Sequence, residues 1–417
     1  MTVQSLPPAT TWSNWLDNES FSARVVTPRT EKEVIDLVTL ARDRSEQVRV
    51  VGTGHSSSPL HRTNGFLMSL DAMRGVISGD QQRLRAEVHA GTKIHELGDP
   101  LWELGLSLTN QGEIDRQSIL GAISTGTHGT GLGLRNISSA LQRARIVTGT
   151  GQVIEVDEST PDYLAAARVC LGMLGVITVA ELSVSPAYEI SEWIGFAPFD
   201  AVFPHSLALA EAHRNFSIMW FPTRQAAVDF DIVPPDNVQI DSDLCFIKMY
   251  EVGDVEVDAR PIAGYGSLRR RDRAYRVYPD PSWPLFCELE YMLPLDAGLE
   301  CYPKVREIIL SEYPSLHMPV QLRFVAADDI FLSQHYGRPS AVISVTTDPD
   351  HPIPGFFERF DELFTQSGGR PHWGKLHFTS VERLRAQFPK YERFCEVRRE
   401  LDPEGVFLNE YLAPLFA

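Results

Sequence analysis

Residues 48–60 read VRVVGTGHSSSPL, and this stretch constrains the chain more than any other. An apolar run, Val48 to Val51, stops at Gly52-Thr53-Gly54, and His55 and three serines follow. The pattern reads as a strand feeding a tight turn, where glycine permits positive φ and close approach of the backbone. N–H groups freed in such a turn, with the hydroxyls of Ser56 and Ser57, suit a phosphate, and His55 sits within reach of the rest of that ligand. Gly-x-Gly alone also marks an ordinary strand-to-loop turn. The loop runs into Pro59 without a third glycine or a helix start, so a nicotinamide-type dinucleotide fingerprint is not the reading.

The chain, 417 residues with a formal net charge of −17, is long enough for more than one domain. Acidic residues are spread along it. Nucleic acids and anionic membranes need basic patches, so neither is expected as a partner. No apolar run approaches the roughly 20 residues of a membrane span. The N-terminal MTVQSLPPATTWSNW lacks the basic-then-apolar order of a secretory signal. The five cysteines (170, 245, 287, 301, 395) show neither CxxC nor zinc spacing. They read as reduced core thiols of a cytoplasmic protein, and no metal site is expected.

Thr30-Glu-Lys-Glu33 is a capping box, and Val34, Leu37, Val38 and Ala41 follow at helical spacing, which predicts a helix near 31–44. Strands are predicted at 48–51 and 84–88, with a helix from Thr92 to about Leu104. A hairpin is predicted around Gly149-Thr150-Gly151, a helix at 162–169, and a glycine-rich turn into a strand over 171–184. Residues 1–187 thus alternate helix and strand. Beyond Pro186 extended stretches dominate, at 217–221, 244–250, 288–292, 320–325 and 341–346, with helices at about 199–213 and 302–312. Helices at 356–364 and 381–401 close the chain.

A second loop rich in glycine and hydroxyls spans 121–131 and offers Ser124, Thr125, Thr127 and Thr130. Two such loops suit a long diphosphate ligand better than a mononucleotide, although the second could equally be a closely packed turn. Residues 171–177 could offer backbone groups to an adenine, or simply turn before a buried strand. Arg323 shares one strand face with Gln321. That face suits a polyhydroxylated ligand, or is the solvent side of an edge strand. Lys375, after His372-Trp373-Gly374, could stabilise a reduced flavin ring electrostatically.

Six segments carry a resemblance in family order: 50–60, GEIDRQSILGAISTGTHGTG (112–131), LGMLGVIT (171–178), RFVAADD (323–329), GRPHWGKLH (369–377) and LDPEGVFLNEYL (401–412). Together they resemble the FAD-dependent sugar-1,4-lactone and alditol oxidases of the vanillyl-alcohol oxidase superfamily. The resemblance implies an α+β, two-domain flavoprotein: a PCMH-type FAD-binding domain (1–187), a sheet-and-helix cap (188–370), and a C-terminal segment (371–417) that completes the flavin site. His55 matches the family's covalent link to the flavin 8α-methyl, Ile177 a backbone contact to adenine, Lys375 a lysine at the flavin N1 side, and Arg323 an arginine at substrate and flavin. Gly112 falls at a small gate residue near flavin C4a. An alanine there accompanies poor oxygen reactivity in dehydrogenase relatives, so glycine implies dioxygen as acceptor. The cofactor wall implied comprises Gly52, Thr53, Gly54, His55, Ser56, Ser57, Gly112, Ser118, Gly121, Ala122, Ser124, Thr125, Gly126, His128, Gly129, Gly175, Ile177, Lys375 and Asn409.

Three positions depart from the family. Gln321 stands where relatives carry the Glu of Glu-x-Arg, and a neutral amide cannot serve as a base. Ser344 aligns with a histidine, and Glu113 stands where alditol oxidases have serine. Lys375, Arg323, Gln321 and Glu113 are the candidate catalytic residues. Gln321, Arg323, Ser344 and Thr346 are the candidate substrate contacts. The expected reaction is hydride transfer from a carbinol carbon of a small polyol, sugar or sugar lactone to flavin N5, with dioxygen giving peroxide. The base is Glu113, solvent or a residue not yet identified, and the protein is expected to be a monomer or small homo-oligomer. A less hydroxylated alcohol, an amine or a natural-product intermediate is the alternative substrate. A flavoprotein that only stores its ligand is the non-enzymatic one.

Overall fold

The computed structural model describes residues 6–255, 267–280 and 284–417. Among the described residues, the N-terminal half holds a four-stranded sheet, a five-stranded sheet and a two-stranded ladder of Leu106–Ser107 with Ser185–Pro186. In the four-stranded sheet, the strand Ser20–Val26 pairs with the edge strand Thr10–Ser13, and Phe66–Ser69 runs parallel to both Ser20–Val26 and Val48–Val51. The five-stranded sheet is antiparallel, in the order Val76–Asp80, Arg85–His89, Val176–Ser183, Leu141–Val147, Val153–Val156. The helix Glu31–Asp43 starts where the capping box places it, with Thr30 Oγ1 accepting from the Glu33 N–H and Glu33 reaching back to Arg29. It buries Val34, Leu37, Val38 and Ala41. The predicted hairpin forms, with Val147 opposite Val153 and Gly151 at φ +80°.

The second unit is an eight-stranded sheet. Its spatial order is Ser267–Arg273, Glu189–Pro198, Ser242–Val252, Asn215–Thr223, Val320–Val325, Ser340–Thr347, Cys287–Pro294, Arg370–Pro371. Alternation decides its two faces. Val320, Leu322, Phe324, Ile343, Val345, Leu289 and Tyr291 join a buried apolar cluster with residues of the helices Leu295–Glu312 and Phe356–Gln366. The alternate residues turn toward the N-terminal half. Met219, Gln321, Ser344 and Glu290 lie opposite one another on four adjacent strands, so one row of side chains crosses the sheet. The C-terminal helices Val381–Gln387, Tyr391–Leu401 and Ala413–Phe416 pack back into the N-terminal core through Leu384, Phe394, Val397 and Phe416.

Several predicted elements are redrawn by local chemistry. The single helix expected over 199–213 is a turn of helix (Phe199–Val202), a 3-10 turn (Phe203–His205) and a helix (Ser206–Ala212), because Pro204 supplies no N–H to a continuous ladder. The helix expected at 302 starts at Leu295 and carries Pro303 inside it. The 381–401 helix is broken, since Pro389 forces Phe388 into an extended conformation at φ −111°, ψ 99°. The loop read over 121–131 begins inside a short helix, residues 119–125, that buries Ile119, Leu120 and Ile123 and ends on Gly126 at φ +78°. The strands Glu189–Pro198 and Ser267–Arg273 were not anticipated.

Candidate active site

The strand Val48–Val51 ends as read, in a turn with Gly54 at φ +68°, a conformation glycine adopts without strain. A Cβ on Gly52 would lie 2.1 Å from Ser118 Oγ, so the 52–58 loop and the start of the 119–125 helix touch only because Gly52 has no side chain. Arg49 holds this corner together. Its buried guanidinium donates to the carbonyls of Leu60 (2.6 Å), Leu171 (2.6 Å), Gly172 (3.2 Å) and Phe407 (2.5 Å). One side chain thereby ties the loop, the 171–177 turn and the C-terminal segment. Burial lowers its pKa to about 10, which leaves it charged at neutral pH.

Two cavities share His55 and Gln117 as wall residues. The first, about 980 Å³, runs through the N-terminal half. Of the predicted cofactor residues, Gly52, Thr53, Gly54, His55, Ser56, Ser118, Gly121, Ala122, Ser124, Thr125, Gly175 and Ile177 line it. The second, about 760 Å³, lies between that groove and the large sheet, and Gly112, Glu113, His128, Gln321, Arg323, Ser344, Thr346 and Lys375 line it. Four other expected cofactor residues stand behind the walls. Ser57 N–H donates to the Gly374 carbonyl, and Asn409 Nδ2 donates to the carbonyls of Pro59 and Arg62. A Cβ on Gly126 would meet Gln334, and one on Gly129 would meet the Gln111 carbonyl and the Tyr278 hydroxyl. These four brace the loops and do not face the groove.

The second cavity is strongly polar at its sheet side. Arg323 bonds Glu290 through Nη2 and lies 3.7 Å from Glu113 through Nη1. Gln321 Nε2 donates to Glu113 at 3.0 Å, and Lys248, paired with Asp280, lies 3.8 Å from Glu113. Lys375 pairs with Glu288, whose other oxygen accepts from Ser344 Oγ. Burial opposes ionisation of Glu290, but Arg323 and His128 outweigh it and hold its carboxyl well below the usual range. Burial likewise opposes ionisation of Glu113, and Lys248 and Arg323 pull it down. Burial lowers Arg323's affinity for its proton, yet Glu290 and Glu113 more than restore it.

The histidines behave differently. Burial, with Lys375 nearby, drops His55 to about 3, and its Nε2 is buried without a partner. It is a neutral imidazole with a free ring nitrogen, packed edge-on to Trp15 at 4.4 Å between centroids. Burial also drops His372 to about 3. His128, Glu290 and His372 converge closely enough to hold an ion. Yet His372 Nδ1 accepts the Gly374 N–H at 3.0 Å, which leaves the proton of the neutral ring on Nε2. His128 Nε2 is occupied by Glu290 at 3.2 Å. The trio is a hydrogen-bonded support for Arg323. Glu288 and Glu290 escaped the sequence reading, although alternating acids in the strand CELEYMLP do signal a charged face on a buried strand.

Comparison with known proteins matches residues 260–415 to the D-arabinono-1,4-lactone oxidase family and residues 22–157 to an FAD-binding domain. An L-gulono-1,4-lactone dehydrogenase of Mycobacterium tuberculosis is 32% identical over 96% of this chain and 97% of its own length. The chain belongs to the sugar-1,4-lactone and alditol oxidase family. It is an FAD-dependent oxidoreductase acting on C–OH donors. Among its relatives are an L-gulonolactone oxidase of Bos taurus, 28% identical over 93% of this chain and 94% of its own, and an alditol oxidase of Streptomyces, 27% identical over 98% and 99%. A cholesterol oxidase of Brevibacterium sterolicum shares the fold, with a TM-score of 0.82 at 13% identity over 98% of this chain and 97% of that one. The family's cofactor fits this geometry. The long groove ends at an unpartnered imidazole nitrogen, and Gln117 Oε1 and Thr127 Oγ1 are buried there without partners. Among the described residues, no helix is long and apolar enough to cross a membrane.

Proposed function

We propose that this enzyme oxidises a carbinol carbon of a sugar 1,4-lactone or small alditol, with FAD joined covalently to His55 and dioxygen as acceptor. The carrying observation is that the FAD groove and the polar cavity meet at His55, whose neutral, unpartnered Nε2 is ready to form a bond. FAD, when bound, takes the hydride and hands its electrons on. The 52–58 loop, Ser118 and the 171–177 turn hold it. Lys375 and Arg323 stabilise negative charge that develops nearby, while Gln321, Ser344 and Thr346 meet substrate hydroxyls. On this reading residues 1–187 with 371–417 form the cofactor domain and 188–370 the cap, in a cytoplasmic monomer or small homo-oligomer.

The test is acid precipitation followed by a denaturing gel read for flavin fluorescence. Fluorescence stays with the chain and vanishes in His55→Ala; yellow colour released from the wild type overturns the covalent link. A panel of L-gulono-1,4-lactone, D-arabinono-1,4-lactone and alditols, read by peroxide formation, tests substrate class and acceptor together.

Gly112 decides the acceptor. A Cβ there would lie 3.3 Å from Thr127 Cγ2 and 3.5 Å from the His128 carbonyl, so alanine is accommodated once Thr127 gives by a few tenths of an ångström. Gly112→Ala is expected to leave anaerobic flavin reduction within about two-fold and to slow reoxidation by oxygen at least about ten-fold, a barrier change of roughly 1.4 kcal/mol. Stopped-flow reoxidation of photoreduced enzyme checks this. Equal reoxidation rates would place the oxygen path elsewhere.

A second reading rests on the apolar part of the cavity lining, Met219, Phe230, Phe286 and Pro319. It favours an alcohol with fewer hydroxyls. Higher kcat/KM for such alcohols than for alditols in the same panel would select it.

A further inference from the structure

The polar cavity contains more acid than base. Histidines aside, the described residues of the cavity wall and the Lys248–Asp280 pair behind it bring four carboxylates (Glu113, Asp280, Glu288, Glu290) against three cations (Lys248, Arg323, Lys375). The cluster therefore has room for one proton, and alcohol oxidation releases one. Gln321, at the position the family resemblance gives to a base, has no basic oxygen to accept it.

The four acids are not equivalent. Glu290 has a side-chain exposure of 1% and is engaged by both Arg323 and His128. Glu113 is engaged by Gln321, Arg323 and Lys248. Both are held in their ionised form by these partners. Asp280 pairs with Lys248, and neither residue is part of the cavity wall. Glu288 is in the wall, on the same sheet face as Gln321, Ser344 and Thr346, with Thr346 directly across from it. It faces one ion-pair partner, Lys375, and one hydroxyl, Ser344.

We propose that Glu288 is the catalytic base, a role that rests on the alcohol-oxidising reading of this cavity. In the step, the substrate O–H bond breaks and its proton goes to the Glu288 carboxylate. The carbinol C–H bond breaks with its electron pair, the hydride passes to the bound cofactor, and C–O becomes C=O. The substrate is oxidised by two electrons, the cofactor is reduced by two, and Glu288 later returns its proton to solvent. Ser344, whose hydroxyl bonds the other carboxylate oxygen, fixes the orientation of the base. The other charged or titratable groups that line the cavity are Lys375, Arg323, Glu113, Glu290, His55, His128 and His372.

The experiment is anaerobic flavin reduction by L-gulono-1,4-lactone, D-arabinono-1,4-lactone and a set of alditols. In Glu288→Gln the limiting rate with the best wild-type substrate falls about 10²-fold or more, the range for removing a general base. The flavin stays bound in Glu288→Gln and still forms a sulfite adduct, and Glu288→Asp recovers part of the rate. A Glu288→Gln rate within three-fold of wild type overturns the assignment while the substrate reading stands. If Glu288→Gln does not fold, Glu288→Asp decides: a carboxylate drawn back by one methylene slows reduction, and a rate equal to wild type overturns the assignment. No reduction of wild type by any panel member overturns the substrate reading and this base with it.

Discussion

Arg323→Ala lowers stability by about 3–5 kcal/mol and abolishes measurable turnover. The stability loss follows from burial. The Arg323 side chain is 10% exposed and answers Glu290 and Glu113, exposed by 1% and 12%. Removing one partner of a buried pair leaves an uncompensated charge, and that, more than the lost attraction, sets the cost. The pH dependence separates this from a generic packing defect. In wild type both carboxylates have folded pKa values below their unfolded value of 4.5. Their stabilisation is therefore present above that value and is lost as pH falls through the folded values. In Arg323→Ala burial dominates and raises Glu290 above its unfolded value. The variant is then penalised at neutral pH and recovers as pH drops toward 5. Urea denaturation at pH 7.5 and pH 5 checks this: the gap between wild type and variant narrows on acidification. A gap that is constant with pH would mean that Arg323 contributes volume and not charge.

Lys375→Ala slows flavin reduction about 10²–10³-fold while the cofactor stays attached, the usual cost of deleting one preorganised charge-stabilising donor. Lys375 is 20% exposed on its side chain and lines the polar cavity close to His55, with its Nζ 5.5 Å from the Phe286 ring centroid and on the Glu288 carboxylate. Its loss leaves Glu288 without its cation, so the variant also weakens sulfite adduct formation and lowers the flavin potential, both readable without substrate. Lys375→Arg restores charge with a different shape and recovers the potential better than the rate. Normal reduction kinetics in Lys375→Ala would remove the residue from the reaction.

The glycine-hydroxyl loop at 52–58, the capped helix at 31–43 and the hairpin at 149–151 were legible because each is set by chemistry within a few residues: a φ only glycine tolerates, a side chain closing on a nearby N–H, a two-strand turn. Ordered motifs along the chain carried the cofactor and the reaction class in the same way. What the prolines did was less legible. Pro204 and Pro389 broke predicted helices, whereas Pro303 sits inside one, and that difference depends on packing outside the local window.

The charge balance of the site was not local at all. The sequence by itself determined that His55 follows a Gly-x-Gly turn, that Gln321 and Arg323 share a strand face, and that an amide stands where a base is expected. Only the tertiary structure decided that Glu288 and Glu290 lie on that same face two strands away, that Glu113 reaches Gln321 across 208 positions of chain, and that Arg49 ties three distant segments into one groove. Strand pairing and buried ion pairs join residues by register and burial. Neither is a property of any short stretch, so the carboxylate available as base could be read only once the sheet was assembled.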